Sequence, residues 1–179
     1  MPVYVHADEL PLAAGTIVAG YENPLDHWLI APVMRLVPPR LLAPAQAAAS
    51  LVDFVRPLGG GGTVPGLPGW EWIHTPGHTP GHVSYFRERD RVLISGDALL
   101  TVNINSVSDL LLRRYKLGGP PYVSTWSWPA AKTSVVTLAR LSPGVLACGH
   151  GKLRTGPATA RDVRVFAERF AGTSVAGYL

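Results

Sequence analysis

The alternation of apolar and polar positions predicts a chain built mainly of short strands followed by helices. Apolar residues alternate with polar ones, or run together, over strand lengths at several places, and turn residues separate these segments. The polar run Arg87-Glu88-Arg89-Asp90 predicts a hairpin turn between two of them. The predicted strands are 3–5, 51–56, 70–73, 83–86, 91–94 and 145–148.

Two segments near the C-terminus have helical periodicity. Residues 130–141 place apolar side chains close to helical spacing, and residues 157–170 begin with proline and repeat apolar residues every three or four positions. A turn or short helix is predicted at 8–10. Residues 20–45 are rich in proline without clean periodicity and predict a loop over the site. Strands, a helix, a strand and a final helix indicate an α/β protein.

The length of the chain suits a single domain spanning residues 1–179. A chain of this size buries about two-thirds of its unfolded surface, enough for one substantial core. The 19 glycines and 17 prolines follow no repeat and fall mostly in predicted loops, such as 59–62 and 66–69. The glycine-rich run lacks the Lys-Ser/Thr ending of a phosphate-binding loop.

Charge and composition exclude several classes of function. The net charge is +4, and the only dense basic cluster is Arg113, Arg114 and Lys116, which is either a solvated face or a contact for an anionic substrate or nucleic acid. No aromatic side chains interleave with a basic stripe, so nucleic-acid binding is not expected. No apolar run approaches the ~18 residues of a membrane helix, and no signal peptide is evident. A single cysteine, Cys148, excludes an intrachain disulfide and fits a cytoplasmic protein.

Candidate metal ligands follow three of the predicted strands. The segment 75–82 reads TPGHTPGH, a Ser95-Gly96-Asp97 turn ends the next hairpin, and Cys148-Gly149-His150 ends the last strand. These segments place an imidazole, a carboxylate and a second imidazole at strand ends, where neighbouring glycines let the chain turn sharply. Imidazole and carboxylate groups are the ligands that zinc-like cations take.

We select His78, Asp97 and His150 as the metal ligands, with Asp97 also as the catalytic residue. The alternatives are a hydrogen-bonding histidine at His78 and a turn-capping carboxylate at Asp97. A buried unpaired carboxylate is costly, which favours a cation beside Asp97. His82 and Cys148 are expected to lie next to the ligands and to hold them in position without binding the metal themselves. A lone cysteine after an apolar strand is usually a core residue, although a thiolate is a good zinc donor.

The order of these motifs resembles the metal-binding half of the metallo-β-lactamase-fold hydrolases. His78 matches the third histidine of that family, Asp97 the carboxylate that bridges two metals, and His150 the final histidine. The resemblance implies an αββα sandwich that holds one or two zinc ions. It also implies hydrolysis of an ester, thioester or lactone-type bond in a small-molecule substrate.

The chain departs from this family in one respect. The His-x-His-x-Asp-His motif is absent from its six histidines, so the chain corresponds to the C-terminal two-thirds of such a protein, truncated at the N-terminus. Three ligands do not fill two sites of about four donors each, which predicts a reduced metal site. His6 and the pair Asp26-His27 are interpreted as loop or surface residues, and His74 as structural.

Two functions remain open from the sequence. The first is a metal-dependent hydrolase with a reduced site, since the serine-hydrolase motif Gly-x-Ser-x-Gly does not occur. The alternative is a non-catalytic remnant or subunit of the same fold with weak or no metal binding. Loss of N-terminal strands exposes a sheet edge and an apolar face, so a homodimer is expected in either case.

Overall fold

A computed structural model describes residues 2–15, 28, 31–38, 40–41, 51, 53–106, 109, 111–112 and 114–174. The strands of this part are β1 (Val3–Val5), β2 (Val55–Pro57), β3 (Glu71–His74), β4 (Val83–Arg87), β5 (Val92–Ile94), β6 (Val145–Ala147) and β7 (Arg154–Thr155). The α-helices are α1 (Leu10–Ala13), α2 (Ala31–Leu36), α3 (Trp128–Arg140) and α4 (Thr159–Gly172). Short 3₁₀ turns cover Ala7–Glu9, Glu88–Asp90 and Tyr122–Ser124. No helix of the described residues is long and apolar enough to cross a membrane.

The main sheet has five strands in the order β3-β4-β5-β6-β7. Strands β3, β4 and β5 form antiparallel pairs, β5 and β6 are parallel, and β7 returns antiparallel to β6. Because parallel neighbours need a crossover, the long connection between β5 and β6 carries α3. A second sheet pairs β1 with β2 in parallel.

One face of the main sheet forms the core together with α3 and α4. Phe86, Leu93 and Leu146 are paired across adjacent strands. Because paired residues point to the same face of a sheet, all three side chains are buried in this core. Helix α3 begins with Pro129 in its first turn, where a missing N–H costs nothing, and it buries one stripe of side chains. Helix α4 buries Val163, Ala167 and Phe170 in the same cluster.

The opposite face of the main sheet is more open. Trp72, Tyr85, Ile94 and Ala147 form a row across four strands, and none of these four side chains is fully buried. Ile94 at the centre is 39% exposed. Part of this face is covered by His6, whose ring lies edge-on to Trp72 and stacked on His74. We call the row formed by these four residues the open face.

The predicted α/β fold class and most elements are confirmed, with three corrections. The described residues at 51, 53 and 54 are not in a strand: the N–H groups of Phe54 and Val55 both donate to the Leu51 carbonyl in a turn, and of these residues Val55–Pro57 pair with β1. Ala31–Leu36 is helical within the region predicted as a loop, and this helix ends just before the prolines. Strand β7 was not predicted, because two residues are too few for a periodic signal.

Candidate metal centre

The three predicted ligands lie together at the ends of the main sheet's strands. The distance from His78 Nε2 to Asp97 Oδ2 is 3.5 Å, and from His150 Nε2 to Asp97 Oδ1 it is 3.7 Å. The two imidazoles therefore approach opposite oxygens of one carboxylate. His78 and Asp97 are mostly buried, whereas His150 is about half exposed, at 52% of its side chain. The centre thus has a closed side and a side open to solvent.

The loop that carries His78 is attached to the start of α3. The N–H of Trp126 donates to the His78 carbonyl, the N–H of Ser127 donates to Gly77, and the Ser134 hydroxyl donates to the Pro76 carbonyl. Gly77 has a φ of +142°, and a Cβ there would lie 2.4 Å from the Ala131 Cα. Only glycine allows the loop to approach the helix this closely.

His82 holds the backbone of Asp97 rather than facing the two other imidazoles. Its Nε2 accepts a hydrogen bond from the Asp97 N–H at 3.1 Å. The proton therefore lies on Nδ1, which donates to the Thr75 hydroxyl at 2.8 Å. Both ring nitrogens of His82 are engaged, one of them with the backbone of Asp97, and its role as a support for the metal ligands stays a prediction. A Cβ on Gly96 would lie 2.6 Å from His82 Nε2, which leaves no room for a side chain there.

A chain of buried hydroxyls continues behind His82. Thr75 Oγ1 is 3.0 Å from Ser84 Oγ, and the Ser84 hydroxyl donates to the Ser95 carbonyl at 3.2 Å. All three residues are fully buried. Buried polar groups of this kind rigidify a site when each is hydrogen-bonded. Sequence reasoning missed them, although polar residues on the core-facing side of strands were the available signal.

Burial favours the neutral form of two imidazoles in this region, those of His78 and His82. Desolvation, together with the neighbouring His78, lowers the pKa of His82 to about 4. Desolvation also lowers the pKa of His78, against the opposing effect of the Asp97 carboxylate. The His78 Nδ1 is buried, with no hydrogen-bond partner among the residues described, whereas Nε2 is the atom that faces Asp97 and can bind a cation beside it. Neutral imidazole is the form that binds metal.

Cys148 packs against the core cluster at the end of β6. Burial raises the pKa of its thiol to about 11, despite hydrogen bonds with Ser95 and Thr101 that lower it. The thiol is therefore protonated near neutral pH. The thiolate, not the thiol, is the metal ligand, so this placement fits a supporting core residue.

Glu9 anchors the far end of the His78 loop and was not selected from the sequence. Its Oε2 accepts hydrogen bonds from the Thr79 hydroxyl at 2.8 Å and from the Gly81 N–H at 2.9 Å. A Cβ on Gly81 would lie 2.3 Å from the Glu9 N, so the two segments are in close contact. Because these partners are about seventy residues apart in the sequence, no local pattern indicates the contact.

A second cluster of metal-ligand types consists of His6, Asp8 and His74, whose ligand atoms lie within 4.8 Å of one another. The rings of His6 and His74 are stacked, with centroids 3.9 Å apart and planes at 11°. His74 Nε2 hydrogen-bonds the Pro80 carbonyl, and His6 Nδ1 accepts from the Asp8 N–H. Because the His6 and His74 rings are stacked, the lone pairs of their nitrogens lie in nearly parallel planes and do not converge on one ion. These contacts hold His74 within the fold, and His6 lies in the short loop after β1 with 18% of its side chain exposed. Asp26 and His27 lie outside the described residues.

The donor set at Asp97 fits two metal positions better than one. No choice of one donor atom each from His78, Asp97 and His150 brings all three within 4.8 Å of one another. Asp97, however, presents Oδ2 to one imidazole and Oδ1 to the other. A carboxylate placed in this way can bridge two cations, each with one histidine. Each position then has two protein donors from these residues.

The chain matches one family model and several curated proteins. A model described as the metallo-beta-lactamase superfamily matches residues 7–150. The probable metallo-hydrolase YflN of Bacillus subtilis (strain 168) is 36% identical over 170 residues, which cover 94% of this chain and 62% of YflN. The probable metallo-hydrolase YqjP of the same organism is 28% identical over 113 residues, covering 63% of this chain and 34% of YqjP. The chain spans less than two-thirds of the length of either relative.

Solved structures give similar partial overlaps. TTHA1623 in a di-iron-bound form has 26% sequence identity and a TM-score of 0.47, over 87% of this chain and 60% of that one. The metallo-beta-lactamase family protein TTHA1429 from Thermus thermophilus has 21% identity and a TM-score of 0.48, over 95% of this chain and 51% of that one.

Proposed function

This chain belongs to the metallo-β-lactamase superfamily, and from that premise we propose that it is a metal-dependent hydrolase whose site is built around Asp97. The observation that carries the proposal is the convergence of His78 and His150 on the two oxygens of one carboxylate. The scissile bond is proposed to be an ester, thioester or lactone-type bond in a small molecule. The names of the relatives, probable metallo-hydrolases, support the reaction class.

His78, Asp97 and His150 would hold the metal, proposed to be one or two zinc ions. A zinc ion, when bound, would lower the pKa of its water toward ~7 and would polarise the oxygen of the scissile bond. His78 and His150 would each contribute an imidazole nitrogen. Asp97 would orient the attacking water through a carboxylate oxygen, accept the proton that this water loses and pass it to the leaving group. His82 fixes the direction of the Asp97 carboxylate through the backbone N–H that it accepts.

The donor count also supports a second proposal, a non-catalytic protein of the same fold with weak or no metal binding. Each metal position has two donors from the described residues, whereas a structural or catalytic zinc takes about four ligands, including water or substrate. Additional donors are needed for full catalysis. The homodimer expected from the sequence is one source of them, and the apolar open face supports self-association.

Metal content distinguishes the two proposals. We would measure it on protein purified without chelator, for the wild type and a His78→Ala/Asp97→Ala variant, with Asp8→Asn as the matched control. Asp8→Asn removes the only carboxylate of the second cluster and leaves the His74–Pro80 hydrogen bond in place. Circular dichroism would verify that all three proteins are folded.

The hydrolase proposal expects at least one metal ion per chain in the wild type and in Asp8→Asn, and loss of that metal in the double variant. Hydrolysis of p-nitrophenyl acetate, a thioester and a lactone, each with and without chelator, would then identify the bond. If the wild type and both variants contain no metal, the hydrolase proposal is overturned and the non-catalytic proposal is favoured. Metal lost only in Asp8→Asn would move the site to the second cluster.

A further inference from the structure

A cleft lies between residues 115–117 and the outer side of α4, with Arg154 of β7 also in its wall. Its volume is about 560 Å³. The lining residues are Tyr115, Lys116, Leu117, Arg154, Arg161, Asp162, Val165, Phe166 and Arg169. None of the candidate metal ligands or their supporting residues is among them. The cleft is therefore a separate feature from the metal centre.

The cleft carries more positive charge than its own carboxylates neutralise. Four cationic side chains line it, and among the described residues two carboxylates, Asp109 and Asp162, contact them. Asp162 is shared: Arg161 bonds its Oδ1 at 3.0 Å, and Arg154 bonds its Oδ2. Since one carboxylate serves two guanidinium groups, several of their N–H donors have no acceptor from it.

Arg169 is the cation of the cleft that has no carboxylate partner among the described residues. Among the residues that the structure describes, no Asp or Glu lies within 4.0 Å of its guanidinium. Lys116 contacts Asp109 at 3.1 Å but remains 60% exposed, so its ammonium can reach a second anion. Lys116, Arg161 and Arg169 all line this cleft, Lys116 from the segment 115–117 and the two arginines from α4. An anionic ligand seated in the cleft can therefore meet cations from both segments.

The rest of the lining is apolar and restricts the kind of anion. Val165 and Phe166 come from α4, and Leu117 packs against the core from the opposite wall. Phe166 stacks on Phe170 with centroids 5.4 Å apart, which fixes its ring. Ligand sites typically combine apolar walls with a few charged groups that set the orientation. A fully hydrated inorganic ion would leave these apolar walls in contact with water.

We propose that this cleft binds an organic anion, with a carboxylate or phosphate group among Lys116, Arg161 and Arg169 and a hydrophobic or aromatic body against Val165 and Phe166. Guanidinium groups suit both anions because their planar N–H donors match carboxylate and phosphate oxygens. Lys116, one of the three residues of the basic cluster noted in the sequence, thereby has a role that the metal centre does not give it. The binding site is independent of whether the metal centre is catalytic.

The probe is phenyl phosphate, and its binding to the full chain is measured by isothermal titration calorimetry at low salt. Arg169→Gln and Arg161→Gln/Arg169→Gln remove cations from the cleft, and neither change touches the metal centre. Arg164→Gln is the matched control, because it removes one positive charge from the same helix while Arg164 lines a different cavity. Melting temperatures of all variants verify that α4 remains folded.

Saturable binding by the wild type is expected, with affinity about tenfold lower in Arg169→Gln and lower still in the double variant. Arg164→Gln should bind as the wild type does. Phenyl phosphate should also bind more tightly than inorganic phosphate, since only the former contacts the apolar walls. Absence of saturable binding would overturn the proposal. So would an equal loss in Arg164→Gln, which would assign the effect to net charge rather than to the cleft.

Discussion

Replacing Glu9 by alanine should loosen the loop that presents His78. Glu9 is the only side chain of the first helical segments that accepts hydrogen bonds from both Thr79 and Gly81, among the residues described. Alanine removes both acceptors at once. The Gly81 N–H is buried and would be left without a partner, while the Thr79 hydroxyl would turn to water. A buried unsatisfied donor costs more free energy than a lost exposed hydrogen bond.

The size of the effect follows from the two hydrogen bonds. A hydrogen bond to a charged group contributes about 1.5–3 kcal/mol, and the lower end applies because Glu9 is half-buried. Two such bonds give a loss of about 3 kcal/mol in the free energy of unfolding for Glu9→Ala. In a domain of this size, 1 kcal/mol shifts the melting temperature by about 2–4 °C, so a decrease of about 6–12 °C is expected. Glu9→Gln keeps a neutral acceptor and should lose about half as much.

Urea unfolding followed by circular dichroism measures this difference, with Glu168→Ala as the control. Glu168 is an exposed carboxylate on α4, and its replacement should change stability by less than about 0.5 kcal/mol. If Glu9→Ala is as stable as the wild type, the two hydrogen bonds do not hold the loop and the reasoning is wrong. Equal losses in Glu9→Ala and Glu168→Ala would likewise assign the effect to net charge.

Other predictions concern packing, reactivity and association. Gly77→Ala should lose about 3 kcal/mol or more in the free energy of unfolding measured with urea, because its Cβ would overlap Ala131 at a positive φ. Gly60→Ala is the control, since a Cβ at Gly60 meets open space and should leave stability unchanged. Similar losses in both variants would contradict this reasoning. The Cys148 thiol, with a pKa of about 11, should react with Ellman's reagent at pH 8 only after unfolding, and rapid labelling of the native protein would show the burial to be wrong. Wild-type protein should sediment as a dimer at micromolar concentration and Ile94→Lys as a monomer; a wild-type monomer would refute the proposed use of the open face.

The sequence could predict the elements whose signal is local. Helix α3 was expected at 130–141 and helix α4 at 157–170, and both agree with the structure to within about two residues at each end, because one apolar stripe determines each. The strand ends before Asp97 and His150 were also visible, since an apolar run followed by glycine marks both. The strand predicted from position 51 begins only at Val55, because an apolar composition does not distinguish a turn from a strand over so few positions.

The support of the candidate site was not predictable from local pattern. Glu9 reaches Thr79 across the fold, and the hydroxyls of Thr75 and Ser84 connect their segments to the Ser95 carbonyl. Such contacts depend on which strands are neighbours, and periodicity does not determine strand order. His82 is an intermediate case, since its position four residues after His78 suggested support without indicating that it would accept the Asp97 N–H.

The placement of the three candidate ligands has a consequence for the lifetime of the native state. Asp97 and His150 meet only when β5 pairs in parallel with β6, across the long connection that contains α3. Closing so long a loop is a slow, entropically costly step, and a cation that needs both residues has no complete site before it. Such a cation would stabilise the native state without stabilising the folding transition state. It would therefore slow unfolding and leave the folding rate almost unchanged.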